Sequence, residues 1–153
     1  MVIGPWELNV SESKRVLILC TGNSARSQMA EGLLRQMGGS RFEVHSAGVA
    51  PSNVRSEAIQ AMGELGIDIS HHRSKSVEQF AGQEFDYVIT VCDNANQNCP
   101  AFPGKAKRVH WSLDDPAVAE GDNNARVAEF RRVRDQLRDL LREFIDTEQV
   151  PPS

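Results

Sequence analysis

The sequence has no long apolar run, little excess of either charge and few aromatic residues. Lys and Arg number 17 against 21 Asp and Glu, so the formal net charge is −4, and 6% of the residues are aromatic. This acidic balance disfavours nucleic acid or a membrane surface as the main partner. No apolar run approaches the roughly 18 residues that a membrane span needs. The first residues lack the basic-then-apolar order of a secretory signal. We therefore expect a cytoplasmic protein that binds neither nucleic acid nor membrane.

Cysteine is also scarce. The chain has three cysteines, an odd number that argues against a framework made only of structural disulfides. In the cytoplasm thiols stay reduced unless they turn over. Cys92 and Cys99 are not spaced as C-x-x-C and have no suitable histidine close by, so they do not fit a zinc site. We expect no bound metal and no bound cofactor.

The hydrophobic pattern predicts an α/β protein of one domain. Apolar runs predict buried strands at residues 15–20, 42–48, 86–92 and 108–113. Helical spacing predicts one helix that ends at Gly38, a second over 56–66 with Ser56 as its cap, and a third over about 125–145. Strands that alternate with helices indicate a parallel sheet with flanking helices. We expect residues 1–14 to form an arm, 15–146 the domain and 147–153 a frayed tail.

The loop after the first strand carries the strongest chemical signal. Cys20 ends that strand, Arg26 follows after five intervening residues, and a helix begins there. Backbone N–H groups of such a loop can form an anion-binding nest, and the helix N-terminus adds positive potential. The guanidinium adds a planar fork of donors, and the same field favours the thiolate form of Cys20. The sequence therefore predicts a site for a tetrahedral oxyanion beside a nucleophilic sulfur. The predicted oxyanion-binding residues are Thr21, Gly22, Asn23, Ser24, Ala25 and Arg26, and the Ser27 hydroxyl could donate to the cysteine sulfur.

Two further groups follow later strands and belong at the same edge of the sheet. Asp114 and Asp115 come after the fourth strand, and a thiolate that attacks an oxyanion needs an acid for the departing oxygen. Cys92 ends the third strand, and Cys99 follows seven residues later. Seven helical steps span about 10.5 Å, whereas the Cα atoms of a disulfide lie at most about 7 Å apart. These two thiols can therefore bond only if the Asn-rich segment between them bends or unwinds.

The stretch "VLILCTGNSARSQMAEG" resembles the phosphate loop of the low-molecular-weight protein tyrosine phosphatase fold. More narrowly, it resembles the thioredoxin-coupled arsenate reductases built on that fold, and the likeness extends from residue 15 to about 145. The resemblance implies a four-stranded parallel sheet with flanking helices. It also implies that Asp115, directly before a proline, is the general acid, and that Cys92 and Cys99 are the second and third redox cysteines. Arsenate is then the substrate, and thioredoxin supplies the electrons.

Some members of this family bind a potassium ion beside the loop. Asn23, Glu31 and Ser46 match three of the residues that hold it, whereas the position of the fourth, an aspartate, falls where this chain has Lys75. The Lys75 ammonium could replace the cation, which would leave only the remnant of a cation site. We expect little dependence on potassium.

Three other functions fit part of this pattern. A low-molecular-weight phosphatase needs Cys20, Arg26, Ser27 and Asp115 but not the later cysteines. Its relatives usually carry aromatic residues after the Asp-Pro pair, where this chain has Ala117 and Val118. A weak phosphatase side activity is compatible with the site, because phosphate resembles arsenate in shape and charge. A phosphocysteine carrier would need neither the acid nor paired thiols, and a binding-only oxyanion sensor is the third possibility. We expect a monomer.

Overall fold

The computed structural model describes residues 13–149. Its strands are β1 (Lys14–Cys20), β2 (Phe42–Gly48), β3 (Tyr87–Thr90) and β4 (Lys107–His110). Its helices are α1 (Arg26–Gly38), α2 (Ser56–Gly63), α3 (Asp93–Gln97) and α4 (Asn123–Gln149). Single 3-10 turns lie at Gly39–Arg41, Val77–Phe80 and Pro116–Val118. Within the described residues, no helix is both long and apolar enough to cross a membrane.

The four strands form one parallel sheet in the order β2-β1-β3-β4. β1 is central, and the four residues from Val16 to Leu19 are fully buried. This burial explains why β1 is a continuous apolar run rather than an alternating one. The register pairs Cys20 with Gly48 on one side and Leu19 with Thr90 on the other. The predicted four-stranded α/β fold is confirmed.

Helix packing closes the core. α4 packs against both α1 and α2, and α1 also contacts β1 and β2. The apolar stripe of α4 is buried, because residues such as Phe130 and Leu137 are inaccessible to solvent. Phe144, near the end of this helix, meets the rings of Phe42 at 5.6 Å and Tyr87 at 4.9 Å. These contacts hold the helices against one another and against the sheet, and the loops at the strand ends extend from this packed core.

Several predicted boundaries are wrong. β3 ends at Thr90, not at residue 92, because the Cys92 sulfur accepts a hydrogen bond from the Ala95 N–H and caps α3 instead of extending the strand. β4 ends at residue 110 rather than 113. α2 ends at Gly63 rather than 66, and its N-cap is Arg55. Ser56 does not cap it, because its hydroxyl donates to Glu57.

The two ends of the domain also differ from the prediction. β1 begins at Lys14, inside the predicted arm of residues 1–14, and Ser13 donates to the carbonyl of Ser40 at 3.2 Å. α4 continues to Gln149, beyond the predicted domain boundary at 146 and into the predicted tail. The rest of the predicted arm and tail lies outside the described residues.

Candidate active site

The loop that follows β1 wraps around the Cys20 sulfur. Cys20 is 2% exposed, and its Sγ accepts a hydrogen bond from the Asn23 backbone N–H at 3.2 Å. The Ser27 hydroxyl lies 2.7 Å from the same sulfur, as the sequence predicted. Asn23 adopts a left-handed backbone with φ of 49°, a conformation that asparagine tolerates better than most residues. This turn directs its N–H toward the sulfur.

The Asn23 side chain connects the loop to its surroundings. Its Nδ2 group donates to Ser27 Oγ at 2.8 Å and to Ser46 Oγ at 2.9 Å. Its Oδ1 accepts from the Lys75 backbone N–H at 2.9 Å and from the Gln28 side chain at 2.9 Å. Because Ser27 Oγ accepts from Asn23, its own hydrogen is free to point at Cys20 Sγ. Two donors therefore converge on the sulfur, the Asn23 backbone N–H and the Ser27 hydroxyl.

The segment after β2 holds the other side of the loop. The N–H groups of Ala50, Ser52 and Arg55 donate to the loop carbonyls of residues 21, 22 and 24 at 2.8, 2.9 and 2.9 Å. In a trans peptide the C=O of one residue and the N–H of the next point in opposite directions. The loop N–H groups therefore face away from this segment, as the Asn23 N–H does. The Asn23 N–H is used by the sulfur, and the arrangement leaves the Gly22 and Ala25 N–H groups available to an anion beside Cys20.

Gly48 is a site residue that the sequence analysis missed. It pairs with Cys20 across the sheet. A Cβ atom at this position would lie 2.5 Å from the Thr21 carbonyl oxygen and 2.8 Å from the Asn23 amide nitrogen. The only sequence signal is a glycine at the end of an alternating strand, which is a known mark of close backbone approach. The loop can therefore keep its shape only while this position has no side chain.

Arg26 and Asp115 meet at the open side of the loop. Arg26 is the first residue of α1, and its Nη1 donates to the Leu113 carbonyl at 2.9 Å. Its Nη2 lies 3.9 Å from Asp115 Oδ2. The other oxygen of Asp115 accepts from the Ala117 N–H at 2.9 Å, so the carboxylate is fixed at the start of a 3-10 turn. Asp114 instead pairs with Arg132 at 3.1 Å. Of the two aspartates, Asp115 is the one beside the loop arginine.

Cys92 lies against the same loop. Its sulfur caps α3 and is 3.3 Å from the Thr21 hydroxyl. The Asn94 side chain donates to that hydroxyl at 3.0 Å. Thr21 directly follows Cys20, so the second thiol contacts the residue next to the first. The predicted placement of both thiols at one sheet edge is thus realised, although the strand itself ends two residues before Cys92.

Cys99 follows α3 and is half-buried. Its sulfur donates to the Pro100 carbonyl at 3.5 Å, and burial raises the pKa of this thiol while the Arg108 guanidinium acts in the opposite direction. All three cysteines are free thiols. The five-residue helix between Cys92 and Cys99 is far shorter than the helices that are stable alone. It is held at its start by His110, whose Nε2 lies 2.9 Å from Asp93 Oδ1 and which lowers the pKa of that carboxyl.

A buried charge cluster lies behind the loop. The Glu31 side chain is 3% exposed and accepts from Ser46 at 2.6 Å. One of its oxygens is 3.7 Å from Lys75 Nζ, and the other is 3.2 Å from Arg35 and 3.5 Å from His72. Burial lowers the pKa values of Lys75 and His72. Within the described part of the chain, no group of three or more His, Cys, Asp or Glu side chains could hold a metal ion.

Fold and loop together define a class: parallel α/β proteins with a buried cysteine at the end of the first strand and a Cys-x5-Arg loop that leads into the first helix. Residues 15–151 match the family described as low molecular weight phosphotyrosine protein phosphatase. An arsenate reductase from Halalkalibacterium halodurans is 46% identical over 134 residues, which cover 88% of this chain and 96% of that protein.

Solved structures give the same result. A structure described as an arsenate reductase in the phosphate binding state matches with a TM-score of 0.72 and 33% identity, over 88% of this chain and 98% of that chain. A thioredoxin-dependent arsenate reductase from Corynebacterium glutamicum matches with a TM-score of 0.63 and 29% identity, over 90% of this chain and 64% of that chain. The chain belongs to the low-molecular-weight phosphotyrosine protein phosphatase family, and within it to the arsenate reductases.

Proposed function

We propose that this protein reduces arsenate to arsenite through a relay of Cys20, Cys92 and Cys99, and that thioredoxin regenerates it. The observation that supports the proposal best is the contact between the Cys92 sulfur and the loop that follows Cys20. A phosphatase needs one thiol at this loop. Here a second thiol is 3.3 Å from the hydroxyl of Thr21, the residue that follows Cys20, and a third thiol lies on the same segment.

Arsenate binds first. The backbone N–H groups of residues 21–25 and the guanidinium of Arg26 donate to its oxygens, and the N-terminus of α1 adds positive potential. Among the described residues, no side chain caps this N-terminus, so no side-chain cap competes with the substrate for its amides. The Arg26 contact to the Leu113 carbonyl keeps one end of the fork fixed, and this orients the guanidinium before the substrate arrives.

Cys20 then attacks arsenic. A sulfur–arsenic bond forms and one arsenic–oxygen bond breaks. Asp115 in its protonated form gives its proton to the departing oxygen, which leaves as water. The hydrogen bonds from Asn23 and Ser27 hold the sulfur in position for this attack.

Reduction takes place in the second step. The Cys92 thiolate attacks the Cys20 sulfur, so that a disulfide forms and the sulfur–arsenic bond breaks. Its electron pair goes to arsenic, which leaves as arsenite, two electrons reduced. Cys99 then attacks Cys92, releases Cys20 as a thiolate and leaves a Cys92–Cys99 disulfide. The dithiol of thioredoxin reduces that disulfide.

The proposed relay also assigns a compartment and an assembly state. A disulfide that is opened once in every cycle needs a reducing pool, which places the protein in the cytoplasm. All the groups used in the reaction belong to one chain, so we propose that a monomer is sufficient.

A coupled assay tests the proposed function. Arsenate, thioredoxin, thioredoxin reductase and NADPH should together give one NADPH oxidised per arsenite formed, and omission of thioredoxin should stop the reaction after the first equivalent. Hydrolysis of p-nitrophenyl phosphate is measured beside it. Rapid ester hydrolysis without NADPH oxidation would assign the protein to the phosphatases instead.

A weak phosphatase side activity is the second candidate. Cys20, Arg26 and Asp115 form the set that phosphate-ester hydrolysis requires. The residues after Pro116 are small, however, and Val118 is 75% exposed. They provide no aromatic wall for the ring of a tyrosyl phosphate, so we expect hydrolysis of small esters only.

Replacing Asp115 by asparagine should slow arsenite formation by about 10²–10⁴-fold, the range that a positioned acid contributes. Asparagine keeps the size of the side chain and the oxygen that accepts from Ala117, so the protein should fold normally. The first-turnover rate, measured by rapid quench, reports the effect. Asp114→Asn is the matched control, because Asp114 is exposed and pairs with Arg132. Equal rates for the two variants would remove Asp115 from the mechanism.

We also propose that Lys75 takes the place of a potassium ion beside the loop. Its ammonium is 3.7 Å from the buried Glu31 carboxylate, which would otherwise be available to a cation. The wild-type protein should therefore melt at the same temperature in KCl and in NaCl. Lys75→Met should be less stable, and potassium should raise its melting temperature by a few degrees relative to sodium. A potassium-specific gain in the wild-type protein would contradict this assignment.

A further inference from the structure

Cys99 shares a hydrogen-bond acceptor with a cation. Its S–H donates to the Pro100 carbonyl at 3.5 Å, and Arg108 Nη2 donates to the same oxygen at 2.8 Å. Arg108 is the second residue of β4, an edge strand of the described sheet, where it pairs with Val88. Neither the acid, the oxyanion loop nor the substrate site uses this arginine.

The shared acceptor gives the arginine a role when Cys99 loses its proton. A thiolate cannot donate, so the bond from sulfur to the Pro100 oxygen disappears. Arg108 still holds that oxygen through one nitrogen, and a guanidinium has five N–H donors. Because both groups contact the same oxygen, its remaining donors are within reach of the new anion, and a thiolate accepts such bonds strongly. The thiolate is therefore held near the position that the thiol occupied.

We propose that Arg108 is a positioning residue for the third thiol. Arg108 stabilises the Cys99 thiolate and keeps the Cys99–Pro100 segment close to α3 for the second disulfide exchange. This inference rests on the proposed relay. In that step the Cys99 proton goes to solvent, the Cys99–Cys92 bond forms, the Cys92–Cys20 bond breaks and Cys20 leaves with the electron pair.

The electrostatics of the described residues agree with this assignment. Burial disfavours the thiolate and raises the pKa of Cys99, and Arg108 is the charged group that acts against it. The segment after Cys99 has a second anchor, because the Phe102 ring packs edge-on against Phe85 with centroids 5.7 Å apart. The backbone after Cys99 is thus anchored at two points, and only the stretch before it needs to rearrange.

The first experiment needs no arsenate. In a Cys20→Ser, Cys92→Ser protein, Cys99 is the single thiol, and its rate of alkylation by iodoacetamide is followed against pH. Arg108→Met should move the midpoint of this profile upward by roughly half a pH unit or more, a shift typical of losing one partly exposed charge contact. Arg108→Lys should restore part of the shift. Lys107→Met is the control, since it removes an equal charge at the neighbouring position, where the ammonium lies over the Tyr87 ring at 5.8 Å.

The second experiment follows the relay in the protein that keeps all its cysteines. After one arsenate turnover, Arg108→Met should release arsenite at the normal rate but accumulate the Cys20–Cys92 disulfide, which the Lys107→Met protein should not do. If Arg108→Met and Lys107→Met had the same alkylation midpoint and the same kinetics of disulfide formation, the proposal would be overturned. If no arsenite forms in any variant, the proposed function fails, whereas the alkylation profile still decides the role of Arg108.

Discussion

Replacing Cys99 by serine should give a protein that makes one equivalent of arsenite and then stops. The loop, Arg26 and Asp115 are unchanged, so arsenate still binds and Cys20 still attacks. Cys92 still releases arsenite by forming the first disulfide. Without a third thiol, Cys20 is not set free, and it stays oxidised inside a buried site. Rapid-quench arsenite measurement should therefore show a burst of normal size, followed by no steady state with thioredoxin.

The two other thiols supply the controls for this prediction. Cys20→Ser should form no arsenite, and Cys92→Ser should stop at the Cys20–arsenic adduct, before arsenite leaves. Mass mapping after one turnover should find a Cys20–Cys92 disulfide in Cys99→Ser and a Cys92–Cys99 disulfide in the unmodified protein. Full multiple turnover by Cys99→Ser would show that thioredoxin opens the first disulfide directly, and the three-thiol relay would be wrong.

Adding a single methyl group at Gly48 should disable the oxyanion loop. The new Cβ would lie 2.5 Å from the Thr21 oxygen and 2.8 Å from the Asn23 nitrogen, and both are backbone atoms that cannot rotate away. The Asn23 N–H donates to the Cys20 sulfur. Displacing the Asn23 backbone would therefore break this bond and shift the neighbouring loop N–H groups that we propose as arsenate donors. We expect a loss of about 1–3 kcal/mol in unfolding free energy from overpacking. Loss of one preorganised oxyanion donor costs about 10²–10³ in rate, and we expect at least this for Gly48→Ala.

Gly63→Ala makes the same chemical change at a harmless position. Gly63 ends α2, and a Cβ there would meet no described atom within 4 Å apart from its chain neighbours and its own helix backbone. Replacing glycine by alanine at a compatible position is neutral or mildly stabilising. Urea unfolding and first-turnover arsenite rates of the two variants give the comparison. If Gly48→Ala were as stable and as active as Gly63→Ala, the close approach of β2 to the loop would have no functional importance.

Local patterns predicted the fold and the placement of Cys20 and Arg26 at the two ends of a strand-to-helix loop correctly, because the signals for both are local. The run from Val16 to Leu19 is apolar since β1 is buried, and the five residues between Cys20 and Arg26 form one short loop between β1 and α1. The two aspartates show the limit of such reasoning. Asp114 and Asp115 are adjacent and chemically equal, and only the family resemblance favoured Asp115. The structure separates them because one meets Arg26 and the other meets Arg132.

Features that depend on register were not predictable in this way. Gly48 matters because parallel pairing places it opposite Cys20, and Arg108 matters because β4 brings it back to the carbonyl after Cys99. Both contacts join residues far apart in sequence. The strand predicted to end at Cys92 ends earlier for a different reason, since a cysteine sulfur is an uncommon helix cap and propensity rules do not anticipate it.

The cap on α3 links the oxidation state of a sulfur to the secondary structure next to it. As a free thiol or thiolate, Cys92 accepts the Ala95 N–H and stabilises the first turn of a five-residue helix. Once that sulfur is bonded to Cys20, it is a disulfide sulfur, which accepts hydrogen bonds only weakly. A helix so short is not stable by itself, and it would then depend more on the His110–Asp93 contact at its start. In the proposed relay, the formation of the first disulfide would therefore loosen the segment that carries Cys99. Formation of the Cys20–Cys92 disulfide would thus precede the rearrangement that brings Cys99 to Cys92, and Cys99 would reach Cys92 only after arsenite has left.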